Sequence, residues 1–189
     1  RRTGYMLFGT QFAQDDSELD KQIGFLPDIK ASRARARQLL KEAGAEGLEF
    51  GYSNRGVAHP YDQIGIWLMD NWKKCGLKPT METNPTAKYK SKRTKGGFDA
   101  TIDWNASFLP HPMLMLSKYQ SYSFNPLNYS FKENPEVDKL YKAMNAEMDP
   151  AKLKKMAAKI ENMVLDDAWF LPLGYFARSV PMLSKIKGY

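Results

Sequence analysis

The stretch that decides the fold covers residues 48–104 and reads LEFGYSNRGVAHPYDQIGIWLMDNWKKCGLKPTMETNPTAKYKSKRTKGGFDATIDW. Within it, residues 48–52, 78–83 and 98–104 have the patterning and composition of strands. Helical patterns connect these segments over short joints, which is typical of right-handed crossovers in a mostly parallel sheet. The sequence therefore predicts an α/β fold in which a mostly parallel sheet is flanked by helices.

Capping residues delimit the helices around these strands. Between the first two strands, apolar residues recur at helical spacing over residues 61–75, and Gly76 ends that helix. A weaker, Lys-rich helix begins at Pro85. Before the first strand, Ser32 occupies the position of an N-cap and Gly44 that of a helix terminator. These signals predict one helix before the first strand and one after each of the first two strands.

The C-terminal part is predicted to be helical. Pro135 and Pro150 each follow a capping residue and open an apolar pattern of helical period. Residues 169–175 have the composition of a short strand, at an edge or a bend because they contain a proline. Residues 1–31 show no sustained period and are interpreted as an irregular lead-in, so that residues 32–189 form a single α/β lobe.

The composition is that of an ordinary globular chain. Its 189 residues carry a formal charge of +7, are 43% hydrophobic and include one cysteine, Cys75. This balance predicts one folded domain, and a lone cysteine excludes an internal disulfide and an all-cysteine metal site. The chain starts at Arg1 with neither an initiator methionine nor an apolar signal core, so we interpret Arg1 as a cut point inside a longer protein.

The positive charge raises nucleic acid as an alternative partner. The basic residues concentrate at Arg33, Arg35 and Arg37 and within residues 88–95. Neither cluster carries a glycine–aromatic recognition motif, a zinc-finger spacing or a recognition-helix pattern. A solvated helix face is the simpler interpretation, and a basic nucleic-acid-binding domain that uses residues 88–95 is the alternative hypothesis.

Residues 104–131 form a long connection that does not resemble scaffold. Lys118 is their single charged residue, and they are rich in amide, hydroxyl and aromatic side chains. The aromatic residues are Trp104, Phe108, Tyr119, Tyr122, Phe124, Tyr129 and Phe131. Because this connection follows a parallel strand, where α/β sheets bind ligands, it is a candidate binding wall for a mixed polar and apolar ligand. The other interpretation is that its aromatic residues cover a sheet edge or face a second domain.

The sequence offers little for catalysis. Its two histidines, His59 and His111, have no metal-ligand spacing, and it contains no nucleophile elbow, Walker loop or dinucleotide-binding glycine motif. The adjacent acids Asp166 and Asp167 point about 100° apart on a helix and do not converge. An enzyme with a convergent site around His111 and Asp103 is the least supported hypothesis, and we predict neither a metal nor a cofactor.

Several short motifs occur in a fixed order along the chain. They are AxxLLxxAG at residues 36–44, an amphipathic helix ending in WKKCGL at 61–77, FDA at 98–100 before Trp104, NYS at 128–130, NPxVDxL at 134–140, DP at 149–150, the segment 169–175 and KGY at 187–189. As a set they resemble the C-terminal lobe of the bacterial extracellular solute-binding proteins of family 5, the dipeptide- and oligopeptide-binding receptors of ABC importers.

The resemblance implies one lobe of a periplasmic binding protein type II-like fold. Two such lobes close over a solute by a hinge motion, in the periplasm or, in Gram-positive cells, on a lipid anchor outside the cell. It implies a receptor that binds a peptide or a similar small polar organic solute, delivers it to ABC permease subunits in the membrane and performs no chemistry. The resemblance also implies that the N-terminal lobe of the same protein is a further partner and that nucleic acid is not a partner.

Five residues of the connection are the candidate binding residues. Trp104 is expected to stack on the solute, with Asn105 and Asn128 supplying amide hydrogen bonds. Tyr129 is expected to present a hydroxyl at the rim, and His111 is a poorer candidate. Alternatively, Trp104 is a core residue, and Asn128 and Tyr129 cap the helix that follows.

The chain departs from the family pattern around Trp104. In the peptide receptors an aspartate after the tryptophan pairs with the α-amino group of the ligand, whereas Asn105 follows here and His111 stands where an aspartate is common. Asp103 precedes the tryptophan and, by strand alternation, points to the opposite face. Besides a peptide, the sequence leaves an opine, an oligosaccharide or another polar organic solute open.

Overall fold

The sheet has three parallel strands and forms the centre of the α/β part. The computed structural model describes residues 4–6, 9–22, 24–105, 107, 109–175, 182 and 185. Strand β1 is Glu49–Arg55, β2 is Lys78–Asn84 and β3 is Ala100–Thr101, in the order β2-β1-β3. Gly51 lies opposite Thr80, and Tyr52 opposite Ala100. The predicted α/β fold with a parallel sheet and flanking helices is confirmed.

Strand β3 is much shorter than the predicted strand over residues 98–104. Beyond Thr101, side chains take over the backbone groups that a neighbouring strand would otherwise bind. The Tyr89 hydroxyl donates to the Ile102 carbonyl, and Lys118 Nζ donates to the Trp104 carbonyl at 3.3 Å. The chain can therefore leave the sheet directly after Thr101, because the carbonyls of Ile102 and Trp104 still have hydrogen-bond donors.

The first helices precede the sheet. Helix α1 is the short Asp16–Leu19, and α2 is Ile29–Glu42. The predicted N-cap at Ser32 is wrong, because the Asp28 carboxylate accepts from the Lys30 N–H at 2.7 Å and so starts the helix earlier. The helix therefore begins within the predicted lead-in.

The two crossover helices follow the prediction. An irregular turn, Ala58–Asp62, leads into α3, Gln63–Lys74, and α4 is Thr86–Lys95. Gly76 and Gly96 follow them with φ of 95° and 71°. Both glycines adopt the left-handed conformation that terminates helices and that other residues rarely adopt.

The C-terminal half is built from helices joined by loops. Helix α5 is Pro112–Met115, a 3₁₀ turn covers Ser117–Tyr119, α6 is Pro135–Asn145 and α7 is Pro150–Asp166. The predicted proline openings are confirmed. The N-cap side chains are Asn134, which accepts from the Val137 N–H at 3.2 Å, and Asp149, which accepts from the Ala151 N–H at 2.8 Å.

Two apolar clusters hold the molecule together. The smaller one lies between the sheet and α3, and its buried members are Tyr52, Tyr61, Leu68 and Ile102. The larger one joins α5, α6, α7 and the lead-in; its buried members are Tyr5, Met6, Phe12, Ala13, Met115, Leu116, Tyr119, Val137, Tyr141, Met144, Leu153, Ala157, Ile160 and Val164. The lead-in thus contributes core side chains although its sequence has no period.

A buried carboxylate fastens the lead-in to α7. Glu161 is only 1% exposed, and its Oε1 accepts from the backbone N–H groups of Tyr5 at 2.6 Å and Met6 at 2.7 Å. Its Oε2 accepts from Gln14 Nε2 at 3.1 Å. One side chain of α7 therefore satisfies backbone donors that lie more than 150 residues away along the chain.

The predicted strand over residues 169–175 is wrong. This segment has no ladder partner among the described residues and is held instead by hydrogen bonds to Tyr5. The Tyr5 hydroxyl donates to the Phe170 carbonyl, and the Tyr175 hydroxyl donates to the Tyr5 carbonyl at 2.8 Å. A proline inside the segment also removes one ladder donor.

Helix α3 approaches β1 so closely that only glycine fits at one position. A Cβ on Gly65 would lie 2.6 Å from Nδ2 of the fully buried Asn54 and 2.9 Å from the Met81 sulfur. We expect Gly65→Ala to lower the free energy of unfolding by about 1–3 kcal/mol, measured by urea denaturation, because overpacking must shift the helix or break the Asn54 hydrogen bond to the Tyr61 carbonyl. If Gly65→Ala instead increased the free energy of unfolding through its higher helix propensity, the close approach of Gly65 to Asn54 and Met81 would be contradicted.

Candidate functional site

The carboxyl ends of the three strands define one edge of the sheet. They are Arg55, Asn84 and Thr101. The chain passes from β1 to β2 on one side of β1 and then returns to β3 on its other side, so the strand order reverses between β1 and β3. Open α/β sheets bind ligands in the crevice outside such a switch point. The long connection starts here, directly after β3.

Trp104 is the open aromatic side chain at this edge. It is 66% exposed, so the alternative of a core tryptophan is wrong. Its backbone is nevertheless fixed, because its carbonyl accepts from the buried Lys118. An exposed ring on a held backbone can pack against a solute without first being ordered.

The side chains of the next two candidates, Asn105 and His111, already form contacts with other residues of the chain. Asn105 Nδ2 donates to the Met115 carbonyl at 2.8 Å. His111 Nδ1 accepts from the Met113 N–H at 3.3 Å and thereby caps α5, while its ring packs edge-on against Phe12, 5.3 Å away between centroids. Both side chains hold the path of the chain that follows Trp104.

The last two candidates also have partners. Asn128 is fully buried; its Nδ2 donates to the Gln120 carbonyl at 2.7 Å, and its Oδ1 accepts from the Ser130 hydroxyl at 2.5 Å. The Tyr129 ring lies over the Arg93 guanidinium, with 4.3 Å from the guanidinium carbon to the ring centroid. The alternative that these residues cap the following helix is wrong for α6, which Asn134 caps.

A buried charge cluster beneath Trp104 was not predicted. Arg93 donates to Oδ1 of Asp103, and Lys118 donates to Oδ2 of the same carboxylate. The three side chains are 12%, 13% and 10% exposed, in the order Arg93, Asp103, Lys118. The sequence signal for it was an aspartate at the end of a strand followed by a lone lysine in an otherwise uncharged segment.

The cluster perturbs the acidity of its own members. Burial lowers the pKa of Lys118, opposed by the attraction of Asp103. Burial also lowers the pKa of Arg93, but Asp103, Tyr89 and Tyr129 outweigh it, so that the net shift is upward. These surroundings therefore favour the charged form of Arg93, and Lys118 releases its proton more readily than a lysine in water.

Arg55 is a further residue of this edge that the sequence analysis missed. It ends β1, its Nε donates to the Thr86 hydroxyl at 3.1 Å and its guanidinium lies over the Tyr61 ring at 5.1 Å. An arginine at the last position of the middle strand was the available signal, once the strand order was known.

Comparison with known proteins identifies the fold. No protein-family model matches the chain. It is 27% identical over 131 residues to the probable D,D-dipeptide-binding periplasmic protein DdpA of Escherichia coli K12, a match that covers 68% of this chain and 25% of that protein. It is 25% identical over 187 residues to di/tripeptide-binding protein 1 of Pseudomonas aeruginosa UCBPP-PA14, covering 95% of this chain and 33% of that protein.

Solved structures agree. The unliganded open form of the murein tripeptide-binding protein MppA superposes with a TM-score of 0.70 at 20% identity, over 77% of this chain and 29% of that one. The dipeptide-binding protein of Pseudoalteromonas sp. SM9913, in complex with Met-Leu, superposes with a TM-score of 0.70 at 17% identity. This match covers 89% of this chain and 33% of that one. The fold is that of part of a solute-binding protein. The resemblance predicted from the motifs is confirmed, and the chain spans a quarter to a third of the length of these curated relatives.

Within this solute-binding fold, the basic residues are largely paired. Lys88 and Lys92 both donate to Glu82, and these hydrogen bonds lower the pKa of Glu82 to about 2. Arg93 belongs to the buried cluster, and Arg33 donates to Asn71 at 2.9 Å. The comparisons also give no support to the nucleic-acid alternative, since the two relatives are named for binding dipeptides and tripeptides.

The residues weighed for catalysis each form contacts with other parts of the chain. Asp103 is bound by Arg93 and Lys118, whereas His111 caps α5. Asp167 accepts from Asn134 at 3.0 Å. Among the described residues no group of three or more His, Cys, Asp and Glu side chains is placed to hold a metal ion. In the same part of the chain, every helix is too short or too polar to cross a bilayer.

A polar depression of about 490 Å³ lies elsewhere on the sheet. It is bounded by the middle of β1 and β2 and by the loop that leads into β3, with Glu82, Lys92 and Asp99 at its sides. It is open to solvent and lies away from the carboxyl edge. Of the predicted features, Phe108 and the motif at residues 187–189 lie outside the described residues.

Proposed function

We propose that the chain is the lobe of an ABC-importer receptor that binds a peptide or a similar small polar organic solute for delivery to a membrane permease. The observation that carries this proposal is the exposed Trp104 on a fixed backbone at the switch point of the sheet. The peptide-binding relatives support it, because their matches cover 68% and 95% of this chain.

Trp104 is the proposed contact residue, and its exposed ring would stack on the solute. Asn105, His111, Asn128 and Tyr129 are proposed to act by holding the connection that carries it, since each already has a partner within the chain. A wall that is ordered before binding loses less entropy when the solute arrives.

The proposed partners and location follow from the same relatives. The receptor would work in the periplasm, or on a lipid anchor outside a Gram-positive cell, with permease subunits and the N-terminal lobe of the same protein. Closure of the two lobes would enclose the solute. We propose no chemistry for this site. The carboxylate of Asp103 forms ion pairs with Arg93 and Lys118, and the imidazole of His111 caps α5.

Trp104→Ala is expected to weaken solute binding by the full-length protein about tenfold or more, since truncation of a central tryptophan typically costs 2 kcal/mol or more. The measurement is isothermal titration calorimetry with Ala-Ala and Ala-Ala-Ala. Trp67→Ala is the matched control, because Trp67 is 56% exposed on α3 and lies outside the connection. Equal losses in the two variants would contradict the assignment of Trp104, and the absence of binding by any short peptide would contradict the proposed peptide function.

A further inference from the structure

The charge cluster beneath Trp104 is unbalanced. Arg93 and Lys118 carry positive charge, and the carboxylate of Asp103 lies between them. Asp103 is the one carboxylate among the described groups that perturbs the pKa values of both cations. The three side chains therefore have a net charge of +1, and one of them, Lys118, contacts the backbone of Trp104.

Because the cluster is buried, its net positive charge produces an electrostatic potential that extends to the nearby surface. The three side chains are about nine-tenths buried, and a charge in low-dielectric surroundings is screened much less than one in water. Lys118 also donates to the Trp104 carbonyl, so the lysine is held within hydrogen-bonding distance of the residue that carries the indole.

The cluster retains unused donor capacity. A guanidinium has five N–H donors. Arg93 directs one of its terminal nitrogens at Asp103, while its buried Nε has no acceptor among the described residues. The single carboxylate has both of its oxygens engaged, so the cluster is richer in donors than in acceptors.

Two carboxylates border the rest of the wall and are hydrogen-bonded to its serines, Asp138 to Ser121 and Glu133 to Ser123. Residues 104–131 contain Lys118 as their single charged residue. Arg55, at the end of β1, adds a further cation at the same edge of the sheet. A solute ammonium group placed against Trp104 would meet these cations while the adjoining carboxylate of Asp103 is engaged by both of them, whereas an anionic group would meet favourable charge.

We propose that the solute group seated against Trp104 is anionic, of the carboxylate class, and this rests on the proposed solute-binding function. Lys118 and Arg93 then act as specificity-determining residues through their field, while Asp103 keeps them in place. Neither cation has to leave the cluster to exert this preference.

The first test compares three peptides that differ only in terminal charge. Ala-Ala-Ala, its N-acetylated form and its C-terminal amide are titrated into the full-length protein at pH 7. We expect the acetylated peptide to bind within about threefold of the free peptide and the amide to bind at least about tenfold more weakly, because the amide lacks the negative charge on which the field of the cluster acts. Lys118→Met is expected to reduce the acid-over-amide ratio, while Lys90→Met, at an exposed lysine of α4, leaves it unchanged. Loss of binding on acetylation, or an unchanged ratio in Lys118→Met, would overturn the proposal.

The second test does not depend on the identity of the solute. Fluorescence quenching by iodide and by caesium is measured on the full-length protein, and the Trp104 contribution is obtained by subtracting the signal of Trp104→Phe. We expect iodide to quench this contribution more strongly than caesium, relative to free N-acetyltryptophanamide, and Lys118→Met to reduce the difference more than Lys90→Met. Equal or stronger quenching by caesium would overturn the proposal. If no peptide binds while iodide still dominates, the peptide function fails and the anion preference of the wall stands.

Discussion

Replacing Asp103 with alanine is expected to lower the free energy of unfolding by about 3–5 kcal/mol, the usual cost of removing one partner from a buried ion pair. Asp103 is the shared partner of Arg93 and Lys118, so its removal leaves two cations facing each other with little access to water. Urea denaturation followed by circular dichroism measures the loss. We expect it to be the largest among single substitutions at charged residues of this part of the chain.

Two comparisons make the Asp103 prediction specific. Asp103→Asn keeps the shape and one acceptor oxygen but removes the charge, and we expect an intermediate loss. Glu82→Ala removes the shared partner of Lys88 and Lys92 on the surface, where all three side chains have access to water. Exposed pairs contribute about 0–1 kcal/mol, so this variant should remain close to the unmodified chain. A loss at Asp103 no larger than that at Glu82 would show that Arg93 and Lys118 reach solvent once the carboxylate is gone.

Replacing Glu161 with alanine is the second substitution with a large expected effect. It leaves the buried N–H groups of Tyr5 and Met6 without their acceptor, and each unsatisfied buried group costs about 1–3 kcal/mol. We therefore expect a loss of about 2–5 kcal/mol in the free energy of unfolding. Glu161→Gln retains an acceptor oxygen for both groups and should lose much less.

The Glu161 carboxyl should also give a pH dependence of a defined sign. Its burial raises the pKa of Glu161, although the N–H groups of Met6 and Tyr5 and the Gln14 amide partly oppose the shift. The folded chain therefore holds this proton more tightly than the unfolded chain, whose glutamates have a pKa of about 4.3. The stabilisation that depends on the proton is fully present below that value and is lost as the pH rises through the raised pKa.

The difference in unfolding free energy between the unmodified chain and Glu161→Gln isolates this titration, because the other carboxylates are common to both. We expect the unmodified chain to lose stability relative to Glu161→Gln as the pH rises above about 4, measured by urea denaturation over a series of pH values. A difference that grows in favour of the unmodified chain with rising pH would contradict the raised pKa of Glu161.

The sequence predicted features that depend on neighbouring residues. Pro135 and Pro150 follow their capping residues directly, and both openings are confirmed. The order of strands and helices from β1 to β3 also follows from local periodicity and from the handedness of crossovers. At the N-terminus of α2 the same logic failed, because Asp28 offers an N-cap carboxylate ahead of Ser32 and both satisfy the pattern.

The parts that could not be predicted depend on distant partners. The backbone at Trp104 is held by Lys118, which binds its carbonyl, and β3 ends early because Tyr89 takes up the Ile102 carbonyl. Asn128 resembled a binding residue, yet the acceptors of its amide are carbonyls of its own loop. A polar side chain in a loop has the same sequence signature whether its partner is a solute or the backbone.

The bond between Glu161 and the backbone of Tyr5 and Met6 also constrains the order of assembly. Its two ends are separated by 155 and 156 positions, so α7 must be available before the lead-in has an acceptor for these donors. During vectorial synthesis, the sheet and its crossover helices emerge early and form from contacts close in sequence, whereas the larger apolar cluster closes late. The lead-in therefore leaves the ribosome before α7 and is fixed only once α7 has emerged.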